Sequence, residues 1–305
     1  PQERTWKIGD RAAEATTKEL KQIHDMGTYQ PHDDTKLTKK ERMEALSSLQ
    51  FITEKKDGRI KSRKCATGSK QRNFEGYDKA AGSSPTVSTD GLIVTTAIDA
   101  HEGRDVATMD IPVAYLHAEN DGHIIMLLRG KMVELLVKLQ PELYRKYVIT
   151  SKNGEPMLYV KLLKALYGLL RSALLFYKKL RGDFENMGFE VNPYDPCVAN
   201  KLIGGKQMTI CWHVDDLKVS HVKSTAIDWI VKYLRKEYES IFEDRSGAMV
   251  VSRGKIHKYL GMTLDYTVRG QVRISMFDYV DKILVAFDKA EPKGGGTKSS
   301  AAPDN

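Results

Sequence analysis

The sequence predicts an α+β fold in which helices cover an antiparallel sheet, and three observations predict it. Asp57-Gly58, Gly204-Gly205 and Asp215-Asp216 each stand between two short extended runs. That is the pattern of tight hairpins, and hairpins build antiparallel sheets. Residues 165–182 and 226–238 place apolar side chains on one side at helical spacing, as helices covering a sheet face do. At 305 residues the chain can bury the core of one large or two modest domains.

Taken in order, residues 10–26 have a helical composition, with Ala12, Ala13, Leu20 and Ile23 as a thin apolar side and Gly27 as the stop. A second helix is expected over 39–49, because Thr38 with Glu41 at the third helical position is a capping-box pattern. Phe51, Ile52 and Thr53 lead through Asp57-Gly58 to Ile60, a hairpin expected to carry Lys61, Arg63, Lys64, Lys70 and Arg72. Residues 83–87 read as a loop and 92–101 as a helix behind the sheet. Val106 to Met109 forms a strand ending at Asp110, since Pro112 has no N–H to give a ladder. Residues 123–128 make a further strand, 141–148 a helical turn, and 158–160 a strand expected to rejoin the one that ends at Asp110. Asn192 to Val198 turns the chain into the strand before the paired acids, a structural element. Residues 226–238 cover a sheet face through Ile230, Val231, Leu234 and Tyr238, and 279–287 start one more helix. The Gly, Ser and Ala of 292–305 predict disorder.

The net charge of +8 is concentrated. Residues 36–72 hold 12 Lys or Arg against 4 Asp or Glu, which alone gives the whole excess. A basic lobe on a neutral body suits a polyanion such as nucleic acid or a nucleoside triphosphate, and equally a solvated helix face. Cys65, Cys197 and Cys211 form no Cys-x-x-Cys pair, so neither a zinc site nor a structural disulfide is expected and a reducing compartment fits. No apolar run reaches the ~20 residues of a membrane span, and no cleavable signal opens the chain. It begins Pro-Gln-Glu, which reads as a piece of a longer polyprotein or a truncated gene product.

The chemistry-bearing stretch is Thr209 to His221, where Asp215 and Asp216 stand at the bend. Two carboxylates ~5 Å apart repel by roughly 3 kcal/mol at an effective dielectric of about 20 and by under about 1 kcal/mol in water. The pair is therefore either bare in solvent or bridged by cations. Mg²⁺ suits the second case, because hard cations take carboxylate oxygens together with substrate phosphates. Asp110 adds a third acid 105 residues upstream, followed five residues on by Tyr115. By itself the tyrosine reads as core packing or as a wall of a site.

At these stretches, and from about Lys18 to Phe287, the chain resembles the reverse transcriptases of copia-type long-terminal-repeat retrotransposons, in the branch with a His-Val-Asp-Asp box. Leu166-Tyr167-Gly168-Leu169 and Asn192-Pro193-Tyr194-Asp195-Pro196-Cys197 are further marks of the likeness, although Leu170-Arg171-Ser172-Ala173 replaces the usual Lys-Gln-Ala-Pro. The resemblance implies a right-hand polymerase fold: an N-terminal helical extension over 1–35, fingers over 36–95 and 119–157, palm over 96–118 and 158–262, and a truncated thumb from 263 to 292. It implies that Asp110, Asp215 and Asp216, with the carbonyl of Ile111, hold two Mg²⁺ ions, or Mn²⁺, for RNA-directed DNA synthesis. Lys61, Arg63 and Arg72 would close over the triphosphate, Tyr115 would exclude a 2′-hydroxyl, and Gly168 would let the backbone approach template and nucleotide. His213, Leu260 and Gly261 would lie along the primer. The implied partners are an RNA template, a DNA primer, deoxynucleoside triphosphates and a parent polyprotein with RNase H and integrase, in cytoplasmic particles or the nucleus, with no membrane. Two rivals stand beside this: an inactive remnant that still binds nucleic acid, and another palm-fold enzyme such as a cyclase or RNA polymerase, against which Tyr115 speaks.

Overall fold

The computed structural model describes residues 2–54, 58–73, 82–239 and 247–290. Helix α1 (Gln2–Asp25) ends just before Gly27, which takes φ +63°, a left-handed conformation that glycine adopts without Cβ strain. β1 (Tyr29–Pro31) follows. Thr38 and Glu41 form the reciprocal capping box, yet α2 (Lys39–Glu44) is short. The expected continuation to 49 is overturned, because β2 (Leu46–Glu54) begins at the fully buried Leu46 and pairs antiparallel with β3 (Ile60–Ala66). Burial in a sheet here outweighs helix propensity. Lys70 and Arg72 lie beyond this hairpin, on the 3-10 turn Gly68–Asn73. Lys64, which the sequence places on this hairpin with the other bases, is fully buried, since Ser62, Lys64 and Ala66 share the inward side of β3.

α3 (Thr89–His101) leads into β4 (Asp105–Asp110). β5 (Ile125–Arg129), α4 (Lys131–Leu139), α5 (Pro141–Tyr144), β6 (Ile149–Thr150) and β7 (Pro156–Leu162) come next. Leu158 to Val160 therefore sits in β7, and β7 pairs with β5 and β1 rather than in the sheet of Asp110. The expected pairing of residues 158–160 with the strand of Asp110 is corrected accordingly. Leu158 and Val160 enter a core with Leu20 and Ile23 of α1 and Val133 and Leu136 of α4, and that core holds them in the first sheet. Its strand order is β1-β7-β5-β2-β3, with β6 on β7 and β2 parallel to β5.

α6 (Ser172–Asn186) starts at Ser172 rather than at 165, because Gly168 at φ +89° breaks any helical run before it. β8 (Glu190–Val191), β9 (Val198–Ile203), β10 (Lys206–His213) and β11 (Asp216–His221) form a meander, with Gly204 and Gly205 both at positive φ in the two-residue turn between β9 and β10. α7 (Ser224–Tyr238) follows, and β12 (Val250–Gly254) completes an antiparallel second sheet, ordered β12-β4-β11-β10-β9-β8. Met208, Ile210, Trp212, Leu217 and Val219 of this sheet pack with Phe176, Leu180 and Phe184 of α6 and Ile227, Ile230 and Leu234 of α7. Each such buried side chain contributes roughly 1.5–3 kcal/mol. Asp195 is buried and accepts from the Ser88 amide at 2.9 Å, the Ser88 hydroxyl at 2.8 Å and the Cys197 amide at 3.0 Å, so the Asn192-to-Val198 turn is structural.

β13 (Ile256–Tyr259), β14 (Met262–Asp265) and β15 (Arg273–Ser275) make a third sheet, and α8 (Phe277–Ala290) packs on β14. β14 straddles the expected palm–thumb boundary at 262/263, so that boundary cuts a single antiparallel unit. The α+β class with a helix-covered antiparallel sheet is as the sequence predicts. Residues 292–305, with their expected disorder, fall outside the described residues. No described helix is long and apolar enough to cross a membrane.

Candidate active site

β4 and β11 bring the distant acids together. Asp110 is the direct register partner of Asp216, so their Cα atoms lie about 5 Å apart, the spacing of an antiparallel pair. Asp215 stands in the two-residue turn between His213 and Asp216, and its carbonyl accepts from the Ile111 amide at 2.9 Å, one rung beyond the last ladder pair. The ladder stops there because Pro112 has no amide hydrogen.

The backbone beside the acids is held in an unfavourable conformation at two valines. Val214 has φ +58°, at the first central position of a turn where glycine is the usual residue. Val113 has φ +48° and starts the 3-10 turn Ala114–His117 that carries Tyr115. A left-handed β-branched residue costs on the order of 1–3 kcal/mol and persists only where its surroundings dictate it.

The carboxylates repel one another. Asp110 reaches solvent, yet enough protein surrounds it that desolvation, and then the charges of Asp215 and Asp216, push its pKa up to about 6; Lys61 and Arg63 oppose this. Asp216 is also raised, first by burial and then by Asp215, with His213 opposing. Charge repulsion and hard oxygen donors suit a divalent cation. Among the described residues, however, no three His, Cys, Asp or Glu side chains are already grouped so as to hold a metal ion.

Lys61 and Arg63 project from the side of β3 opposite Lys64 and act on Asp110, so the structure brings the basic hairpin to the acids. The Arg63 guanidinium lies 5.4 Å from the Tyr167 ring centre, the Tyr167 ring 4.9 Å from that of Tyr115, and the Tyr115 ring 6.4 Å from that of Phe176. A cation and three rings thus run in series from the hairpin to the second core. Arg72 is exposed on its 3-10 turn; the bases that act on Asp110 are Lys61 and Arg63.

Gly168 meets β3. A Cβ on Gly168 would stand 2.1 Å from the Ala66 carbonyl oxygen, and one on Gly68 would stand 2.0 Å from the Gly168 carbonyl oxygen. The close approach that these glycines permit is therefore between this loop and the hairpin base. Leu260 (φ +49°) and Gly261 (φ +79°) form the β13–β14 turn, and Gly261 lies against the Tyr279 ring of α8. Arg171 pairs with Asp121 at 2.8 Å.

Sequence reasoning assigned no role to Tyr167 or Tyr259. The Tyr259 hydroxyl donates to the Asp216 carbonyl at 3.1 Å, which ties the third sheet to the acidic strand. Tyr167 lies inside the Leu166-to-Leu169 motif and Tyr259 stands next to Leu260, but only the fold shows what they touch.

Residues 49–298 match the family model described as reverse transcriptase (RNA-dependent DNA polymerase). The Gag-Pol polyprotein of transposon Ty1-LR2 from Saccharomyces cerevisiae is 25% identical over 232 residues, which cover 76% of this chain and 12% of the polyprotein. The chain thus spans a small part of the curated relatives it matches. Among solved structures, telomerase from Candida albicans in complex with a telomeric RNA fragment aligns with a TM-score of 0.43 and 9% identity, over 85% of this chain and 52% of that one. A foamy viral protease–reverse transcriptase in complex with double-stranded DNA aligns with a TM-score of 0.42 and 12% identity, over 90% and 37%. With its copia-type motifs set on a helix-covered antiparallel sheet, the chain belongs to the reverse transcriptase (RNA-dependent DNA polymerase) family, in its copia type.

Proposed function

We propose that this chain is the nucleotidyl-transfer unit of a retrotransposon polyprotein and extends a DNA primer on an RNA template with deoxynucleoside triphosphates. The observation that carries this reading is Asp110 opposite Asp216, with Asp215 at the bend and Lys61 and Arg63 facing them. Asp110, Asp215 and Asp216, with the Ile111 carbonyl, would hold two Mg²⁺ or Mn²⁺ ions. Such ions, when bound, lower the pKa of a primer 3′-hydroxyl and neutralise the triphosphate and leaving pyrophosphate. Mg²⁺ is commonly held by one or two carboxylates plus substrate phosphates, so a site completed by the triphosphate does not need a prior cage of three acids.

The chain's own residues would do the rest. Arg63 offers paired donors to phosphate oxygens and Lys61 a mobile charge. Tyr115, held between Tyr167 and Phe176, would stand under the sugar and exclude a 2′-hydroxyl. His213 and the Leu260-Gly261 turn would contact the primer, and the loop at Gly168 would border the nucleotide. The fingers would then be the first sheet and the palm the second.

The rival reading is a remnant that binds nucleic acid without synthesis. Primer extension on an RNA template with Mg²⁺ or Mn²⁺ separates the two. Extension by the wild-type chain supports the enzyme, and binding with no extension under either ion supports the remnant.

A further inference from the structure

The hairpin that bears Lys61 and Arg63 has an open side. Among the described strands β3 is the edge of the first sheet, so the amides on its outer edge have no neighbouring strand there. Two of them are nevertheless bonded. The Ala66 amide donates to the Tyr167 carbonyl at 2.8 Å, through the loop already tied to the site. The Lys64 amide donates to the Glu19 carboxylate of α1 at 3.2 Å.

Around Glu19 the helix grips the same strand repeatedly. The Thr16 and Ser62 hydroxyls are hydrogen-bonded at 3.3 Å in a buried position, and the Arg11 guanidinium donates to the Gly58 carbonyl near the hairpin tip. Leu20 and Ile23 anchor the helix in the first core. The Lys64 ammonium lies 5.0 Å from the Tyr29 ring centre, on the side of the strand opposite Lys61 and Arg63. With Ser62 and Lys64 fixed inward, alternation along β3 sends Lys61 and Arg63 outward. α1 precedes residues 49–298, so the helix side of this brace lies outside the family match and the strand side within it.

We propose that Glu19 is a positioning residue: by capping the open edge of β3 at Lys64, it aims Lys61 and Arg63 at the carboxylates and sets the affinity for an incoming triphosphate. The inference rests on the function proposed above. Steady-state extension and hydrogen exchange test it together in the full chain, with Glu19→Ala, which removes the acceptor, and Glu19→Gln, which keeps one. Glu19→Ala should raise KM for the deoxynucleotide about tenfold with kcat within about twofold, and Glu19→Gln should restore KM to near the wild-type value. A KM unchanged in Glu19→Ala, or equal loss of kcat in both variants, overturns the proposal. Should the wild-type chain extend no primer, the functional reading fails, and exchange at the Lys64 amide still decides the brace. That amide should exchange at least about tenfold faster in Glu19→Ala than in wild type, while α1 keeps its protection; unchanged exchange overturns it.

Discussion

The Ile111 amide donates to the Asp215 carbonyl at 2.9 Å, which fixes the bend between β10 and β11 against the end of β4. This bond makes the acidic turn a rigid extension of the sheet, because Asp110 and Asp216 form the preceding rung. Replacing a side chain at the bend should therefore leave the backbone in place. Asp215→Asn is expected to abolish primer extension while primer–template affinity stays within about twofold of wild type. Extension equal to wild type would remove Asp215 from the reaction.

Asp110 gives a prediction with a definite pH window. Its pKa is raised from 3.8 to about 6, first by desolvation and then by Asp215 and Asp216. Between these values the folded chain holds a proton that the unfolded chain has lost, so stability falls as pH rises through the window. The destabilisation is absent below about pH 4 and complete above about pH 6. Asp110→Asn should stabilise the chain at pH 8 by roughly 1 kcal/mol, after discounting for solvent screening of an exposed group. Urea unfolding at pH 8 and pH 4 checks this, and an equal gain at both would exclude charge repulsion as the cause.

What the sequence reveals of this protein follows from how local each signal is. The Thr38–Glu41 cap, the stop at Gly27 and the Gly204-Gly205 turn depend on a few adjacent residues and appear where expected. The assignment of Leu158 to the wrong sheet has the opposite cause, since which strand β7 joins depends on α1 and α4 filling the core beside it. Lys64 could have been placed inward from the period-two pattern of β3, but a lysine is seldom fully buried and its charge points the other way. The acids were legible as residues, whereas the Arg63–Tyr167–Tyr115 series was not, because its members come from three separate segments.

Tyr115 is half-buried between Tyr167 and Phe176, so its ring cannot swing aside to admit a larger sugar. Tyr115→Ala is expected to lower discrimination against ribonucleotides by on the order of tenfold to a hundredfold. Competing incorporation of ribo- and deoxynucleotides on one template measures it. Unchanged discrimination would leave Tyr115 as a packing residue alone.

Lys64 is fully buried and its ammonium nitrogen has no hydrogen-bond acceptor among the described residues. Burial lowers its pKa from 10.5 to about 7, with the Glu19 charge only partly opposing. Between about pH 7 and 10.5 the unfolded chain carries a proton that the folded chain lacks, so this group makes stability rise with pH across that window. Lys64→Met keeps an unbranched stem on the Tyr29 ring and keeps the backbone amide that Glu19 caps, while removing the unsatisfied nitrogen. The substitution should stabilise the chain by roughly 1–3 kcal/mol at pH 7 and flatten the rise toward pH 10. Denaturant midpoints at pH 7, 8.5 and 10 measure both effects. A variant that is less stable than wild type at pH 7 would mean that the buried ammonium holds α1 to the sheet through its attraction to Glu19, rather than being a tolerated cost of a strand whose outward bases serve the site.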